Sequence, residues 1–198
     1  MDARIQPFCS FLNQSRSLYH AVDLLRRQFA EAGFVQLSEG EQWTLVPGGK
    51  YFVIRGGSAI AAFSVPASPE GFAIAAAHDD RPCFKVKENA EMSDGHHLRL
   101  SVEKYGGMLC ASWTDRPLSV AGRVLIRTEQ GIATKLVDLS DPCAIIPNVA
   151  IHMNRNANDG MSYNPAVDMI PLCGEASEAG FLRKKIAEAA GVSEEDIL

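Results

Sequence analysis

Residues 72–77, "FAIAAA", are apolar at every position, and the run ends directly on His78, Asp79, Asp80 and Arg81. A strand without a polar face has to be covered on both sides, as in a parallel or mixed sheet flanked by helices. That requirement points to an α/β architecture more sharply than any other stretch of the chain. In open α/β sheets, ligands gather outside the carboxyl ends of strands, where loops converge on a point that the buried strand holds rigid. His78 can supply one nitrogen to a metal there, and a carboxylate two residues on, Asp80, can orient the imidazole or a neighbouring ligand. Taken alone, an H-x-D triplet more often marks a strand-end histidine that only caps or hydrogen-bonds.

The remaining pattern places helices at both ends and short strands between them. "SRSLYHAVDLLRRQFAEAGF" sets Leu18, Val22, Leu25 and Phe29 on one helical face, with Ser17 as N-cap and Gly33 as the stop. "EQWTLVPGGKYFVIRGGSAIAAFSV" alternates strand-forming runs with Pro-Gly-Gly and Gly-Gly breaks, which predicts successive hairpin strands. A Pro66-Ala67-Ser68-Pro69 break precedes the apolar run, and from Lys85 to about Arg127 the strands become amphipathic. "EASEAGFLRKKIAEAAGVSEEDIL" returns to helix, with Ile186, Ala189 and Ala190 expected inside, Gly191 as its end and Ser193 opening another helix. Burying residues 72–77 on both sides takes more helix than this pattern offers. Exposed apolar surface, or oligomers that cover it, is the expected consequence.

Composition removes several function classes. The chain has 198 residues, 46% of them hydrophobic, with 10 prolines and 16 glycines, which is enough for a buried core. Nineteen Lys and Arg against 24 Asp and Glu give a formal charge of -5, and no basic block could track a phosphate backbone, so no nucleic-acid partner is expected. No apolar run approaches bilayer length, and "MDARIQPFCSFLNQSRS" lacks the order of a signal peptide, so no membrane association and a cytoplasmic location are expected. The 5 cysteines, Cys9, Cys83, Cys110, Cys143 and Cys173, are scattered without a C-x-x-C pair, and reduced thiols are the natural reading.

Five stretches, taken in order, carry a family resemblance: "SLYHAVDLL", "PGGKYFVIRGGSAIAAF", "GFAIAAAHDDRPCFKVK", "VEKYGGMLCASWTDRPLSVAGRV" and "IIPNVAIHMNR". Together they resemble the M18 family of zinc aminopeptidases, the aspartyl aminopeptidase group. The resemblance implies an α/β fold in which the start of a zinc-exopeptidase-type mixed-sheet catalytic domain, residues 1–86, is followed by a β-rich insertion or dimerisation domain, residues 87–198. The family motif AHTDSP falls on Ala77-His78-Asp79-Asp80-Arg81-Pro82, which implies His78 as a zinc ligand and Asp80 as the carboxylate beside the metal centre. Asp79 and Arg81 depart from the usual threonine and serine. The insertion-domain "AIH" histidine, which in the family reaches into a neighbouring subunit's active site, falls on His152. A solvent-facing strand histidine is the other reading of that position, since "NVAIHM" alternates as any amphipathic strand does.

The resemblance further implies hydrolysis of peptides from the N-terminus by zinc-activated water, with acidic first residues as one substrate class, in a homo-oligomer built through the insertion domain. Family members hold two zinc ions, and every ligand but the first belongs to a region beyond Leu198. The chain is therefore expected to be the N-terminal half of such an enzyme and inactive alone, with a non-catalytic oligomerisation or binding module as the alternative. Other histidines offer little. Adjacent His96 and His97 on a strand would point to opposite faces, and His20 sits at a helix start where packing or capping is its natural role. A Cys83–His78 nucleophile would lack both an orienting third group and an oxyanion site.

Overall fold

The structure is a computed structural model that describes residues 5–68 and 70–198. It divides into two compact units, with the boundary between Arg81 and Pro82. Pro69, part of the expected break, lies outside the described residues.

In the first unit, α1 (Ile5–Gln14) and α2 (Leu18–Glu31) precede β1 (Val35–Leu37), β2 (Lys50–Arg55) and β3 (Ala59–Ser64). Ser17 caps α2 by accepting the His20 N–H, and Gly33 follows the helix at φ 80°, a left-handed conformation that suits glycine. β2 and β3 form the antiparallel hairpin that the Gly56-Gly57 break predicts, and β1 adds to β2 in parallel. The core packs Ala21, Val22 and Leu24 of α2 with Tyr51, Phe52 and Val53 of β2. Phe29 stacks 6.1 Å from Phe52. The buried stripe of α2 is rotated toward Ala21 and Leu24 relative to the expected one; Leu18, Leu25 and Phe29 are only half-buried.

Residues 71–78 depart from expectation in secondary structure. They pair with no strand among the described residues, and Phe72 is 97% and Ile74 85% exposed. Without neighbouring strands, an all-apolar run has nothing to complete its backbone hydrogen bonds or cover its faces. The exposed apolar surface expected from the sequence is present; the strand is not.

The second unit is β-rich. β4 (Cys83–Ser93) and β5 (His97–Tyr105) are joined through β10 (Leu172–Glu175) and β9 (Ala144–Ile145) to β6 (Pro117–Leu118), in the sheet order β4-β5-β10-β9-β6. β7 (Ala121–Thr128) and β8 (Gly131–Asp138) form a separate hairpin. The short helix α3 (Pro165–Asp168) precedes β10, and α4 (Phe181–Ala190) follows it. Leu98, Leu100, Ile126, Val137, Ile146, Met169 and Leu182 are the buried centre, each worth about 1.5–3 kcal/mol of transfer free energy. α4 ends at Gly191 (φ 63°), as its sequence predicts. Its buried side chains are Leu182, Ala187 and Ala190; Ala189, expected inside, faces solvent. After Ser193 a single 3₁₀ turn forms, Glu194–Asp196, with the Ser193 hydroxyl as its cap.

Candidate functional site

The H-x-D triplet stands at the end of the first unit. His78 Nδ1 lies 2.8 Å from Asp80 Oδ1. The histidine side chain is 93% exposed and the aspartate 27%. A carboxylate on Nδ1 fixes the tautomer that leaves the Nε2 lone pair facing outward, the arrangement that precedes metal ligation by histidine. Arg81, one of the departures from the family motif, donates from Nη2 to the Arg16 carbonyl at 2.6 Å, between α1 and α2. The unusual arginine therefore ties the motif to the helical corner and leaves the His78–Asp80 pair intact.

Two donors are not a metal centre. Zinc sites use three or four ligands at about 2.0–2.3 Å, and among the described residues no three His, Cys, Asp or Glu side chains converge. These residues therefore do not fit a complete zinc site.

In the second unit, His152 sits in a turn closed by Met153 N–H donating to the Ala150 carbonyl at 2.8 Å. It is exposed, and Met153 beside it is 79% exposed. The alternation in "NVAIHM" forms a turn rather than a strand. Its base is held by Asp115, whose N–H donates to the Ile146 carbonyl at 2.9 Å while its carboxylate accepts the Asn148 N–H at 2.9 Å. Asp115 has φ 57°, a left-handed conformation that aspartate tolerates better than most residues. Sequence reasoning missed this anchor. Its only signal is an aspartate after a threonine in a loop, and the acceptor role depends on a segment 33 residues away.

His96 and His97 are exposed, with rings 6.4 Å apart. Their backbone N–H groups both donate to Asp94 Oδ1, at 3.0 and 2.7 Å, and Arg99 Nη2 donates to Asp94 Oδ2 at 2.8 Å. The His97 amide first, and then the His96 amide, holds the Asp94 carboxyl well below the usual carboxylate range. Cys173 is pushed up to about 11, chiefly by burial, and burial likewise raises Cys143; neither is a reactive thiolate.

Residues 11–198 match a family model described as Aminopeptidase I zinc metalloprotease (M18). A curated relative from Clostridium acetobutylicum, probable M18 family aminopeptidase 2, is 40% identical over 198 residues, covering 95% of this chain and 46% of the relative. Among solved structures, Ape4 in its complex with Nbr1 superposes with a TM-score of 0.91 at 32% identity, covering 98% of this chain and 42% of that one. Chaetomium thermophilum mApe1 gives 0.86 at 32% identity, with 98% and 48% covered. The chain thus spans about half the length of the curated relative it matches.

Proposed function

Because the chain belongs to the M18 family of zinc aminopeptidases, we propose that it works as part of a metallo-aminopeptidase that removes N-terminal residues, acidic ones among them, from peptides. The observation that carries this reading is the His78–Asp80 pair at the family motif position, with its imidazole held at 2.8 Å and its outer nitrogen exposed. In this reading His78 is one metal ligand, Asp80 fixes its orientation, and the remaining ligands belong to residues outside these 198. His152 serves a neighbouring subunit, where an imidazole N–H donates to the developing oxyanion of the scissile carbonyl. The exposed turn that carries His152, tethered at its base by Asp115, supports that role. Oligomerisation through residues 87–198 and a cytoplasmic location belong to the same proposal. Among the described residues no helix is long and apolar enough to cross a membrane.

The two-donor cluster favours a second reading, a non-catalytic module that binds or oligomerises. Metal analysis and hydrolysis of aminoacyl substrates separate the two. The 198-residue chain is expected to hold no stoichiometric zinc and to release no amino acid, while a protein of the relatives' full length binds metal and hydrolyses, losing both on His78→Ala. One zinc per 198-residue chain that disappears in His78→Ala would mean that a complete site exists within these residues. A full-length protein without metal or activity would favour the module.

A further inference from the structure

Glycine follows aspartate at two places in the chain, Asp94-Gly95 and Asp159-Gly160. The pair has a chemistry of its own. With no side chain on glycine to shield it, the glycine nitrogen can reach the carboxyl carbon of the preceding aspartate and close a cyclic imide. In that step the bond from nitrogen to Cγ forms, the Cγ–OH bond of the neutral acid breaks, and the hydroxyl leaves as water with the amide proton. Water then opens the imide. Attack at the side-chain carbonyl restores aspartate; attack at the main-chain carbonyl routes the chain through the side chain, as isoaspartate. Nothing is oxidised or reduced, and water is the only co-reactant. The reaction needs a mobile, neutral carboxyl and a glycine N–H that nothing holds.

The two pairs differ in both respects. Asp94 Oδ1 accepts the His96 and His97 N–H groups at 3.0 and 2.7 Å, Oδ2 accepts from Arg99 Nη2 at 2.8 Å, and the Gly95 N–H donates to Ser93 Oγ at 3.1 Å. The amide bonds, His97 first and then His96, keep that carboxyl ionised and so remove the neutral acid that the reaction consumes. Asp159 ends the 3₁₀ turn Ala157–Asp159, is exposed, and its carboxylate has no hydrogen-bond or ion-pair partner among the described residues. The Gly160 N–H finds no acceptor among the described residues either, and its φ of 121° and ψ of 116° lie in glycine's own range. A Cβ placed on Gly160 would meet no atom within 4 Å, so there is room for the ring to close.

We propose that Asp159 is a site of spontaneous isoaspartate formation, and that the hydrogen bonds around Asp94 protect the other Asp-Gly pair. The change lengthens the main chain by a carbon between Asn154 and Met161, whose side chains meet at 3.6 Å, and so acts on the loop that follows His152. It is read without turnover, and it stands or falls independently of the hydrolytic reading above.

The test is to age the folded 198-residue chain at physiological temperature in neutral buffer, digest it with trypsin and locate isoaspartate by electron-transfer fragmentation. Cleavage after Lys87, Arg99, Arg155 and Arg183 puts Asp94 and Asp159 on separate peptides. Isoaspartate is expected at Asp159, accumulating at least about 10-fold faster than at Asp94, because reaction at Asp94 must first break hydrogen bonds to a charged group. Gly160→Ala, at an exposed residue with open space around it, should slow conversion several-fold by shielding the nitrogen. In urea, where both turns are lost, the two pairs should convert at similar rates. The proposal is overturned by absence of isoaspartate at Asp159 in the folded chain, by equal rates at Asp94 and Asp159 there, by a Gly160→Ala chain that converts as fast as the parent, or by a preference for Asp159 that survives unchanged in urea.

Discussion

Asp94 and His152 show two ways in which one residue matters here. The Asp94 carboxyl, held below its usual range by the His97 and His96 amides, gives stability that is complete above the unfolded carboxylate value of about 3.9. That contribution is lost as pH falls below this value toward the lower folded one. Asp94→Asn should therefore lower the midpoint of urea unfolding near neutral pH, and the gap between variant and parent should narrow below pH about 4; a gap that stays constant with pH would contradict it. The role proposed for His152 is chemical instead. In the full-length enzyme, His152→Ala should lower turnover by about two to three orders of magnitude with metal content unchanged. Normal turnover would remove His152 from the site. The histidines were legible in the sequence as candidates because of the family motif. Asp115 was not, since its partners Ile146 and Asn148 arrive only when distant segments meet.

At the scale of elements, helix ends were easier to read than helix faces. Ser17, Gly33 and Gly191 act locally, through caps and left-handed φ, so their neighbours in sequence suffice to identify them. Which side chains of α2 and α4 are buried depends on what they pack against, and the stripes are accordingly shifted from the expected positions. The N-terminus of α4 has a cap that no local pattern announces. Glu91, beyond a register shift in β4, accepts the Gly180 N–H through Oε2 and the Leu182 N–H through Oε1, both at 2.7 Å. A carboxylate at that position satisfies two of the helix's orphan donors and complements its dipole. Glu91→Ala should cost about 1–2 kcal/mol, read as a fall in melting temperature of roughly 2–4 °C per kcal/mol for a chain of this size. Glu91→Gln, which keeps one acceptor oxygen, should lose less. Equal loss in both variants would point to packing rather than capping.

For the whole molecule, the decisive feature is apolar surface without a cover. Ile5, Phe8 and Leu12, at helical spacing on α1, are 47%, 61% and 52% exposed, in the same unit as Phe72 and Ile74. Exposed apolar groups on this scale mark surfaces that associate. Sedimentation of the 198-residue chain should show concentration-dependent self-association, reduced by the double variant Phe72→Glu, Ile74→Glu. A monomeric parent at about 100 μM, within the μM–mM range in which exposed apolar surface drives association, would argue that these side chains find cover in another way.

The sequence by itself determined the elements whose signals are short-range: the capped helix, the glycine-punctuated hairpin, the glycine stop of α4 and the H-x-D triplet whose two side chains pair across a single residue. It also determined that residues 72–77 demand burial on both faces, a demand written in composition alone. Only the tertiary structure decided that this run stands unpaired among the described residues, that His152 lies on a turn and not a strand, and that Glu91 of β4 caps the distant helix α4. Each of these depends on which distant segment lies alongside, and pairing across tens of residues is fixed by packing that no local pattern encodes.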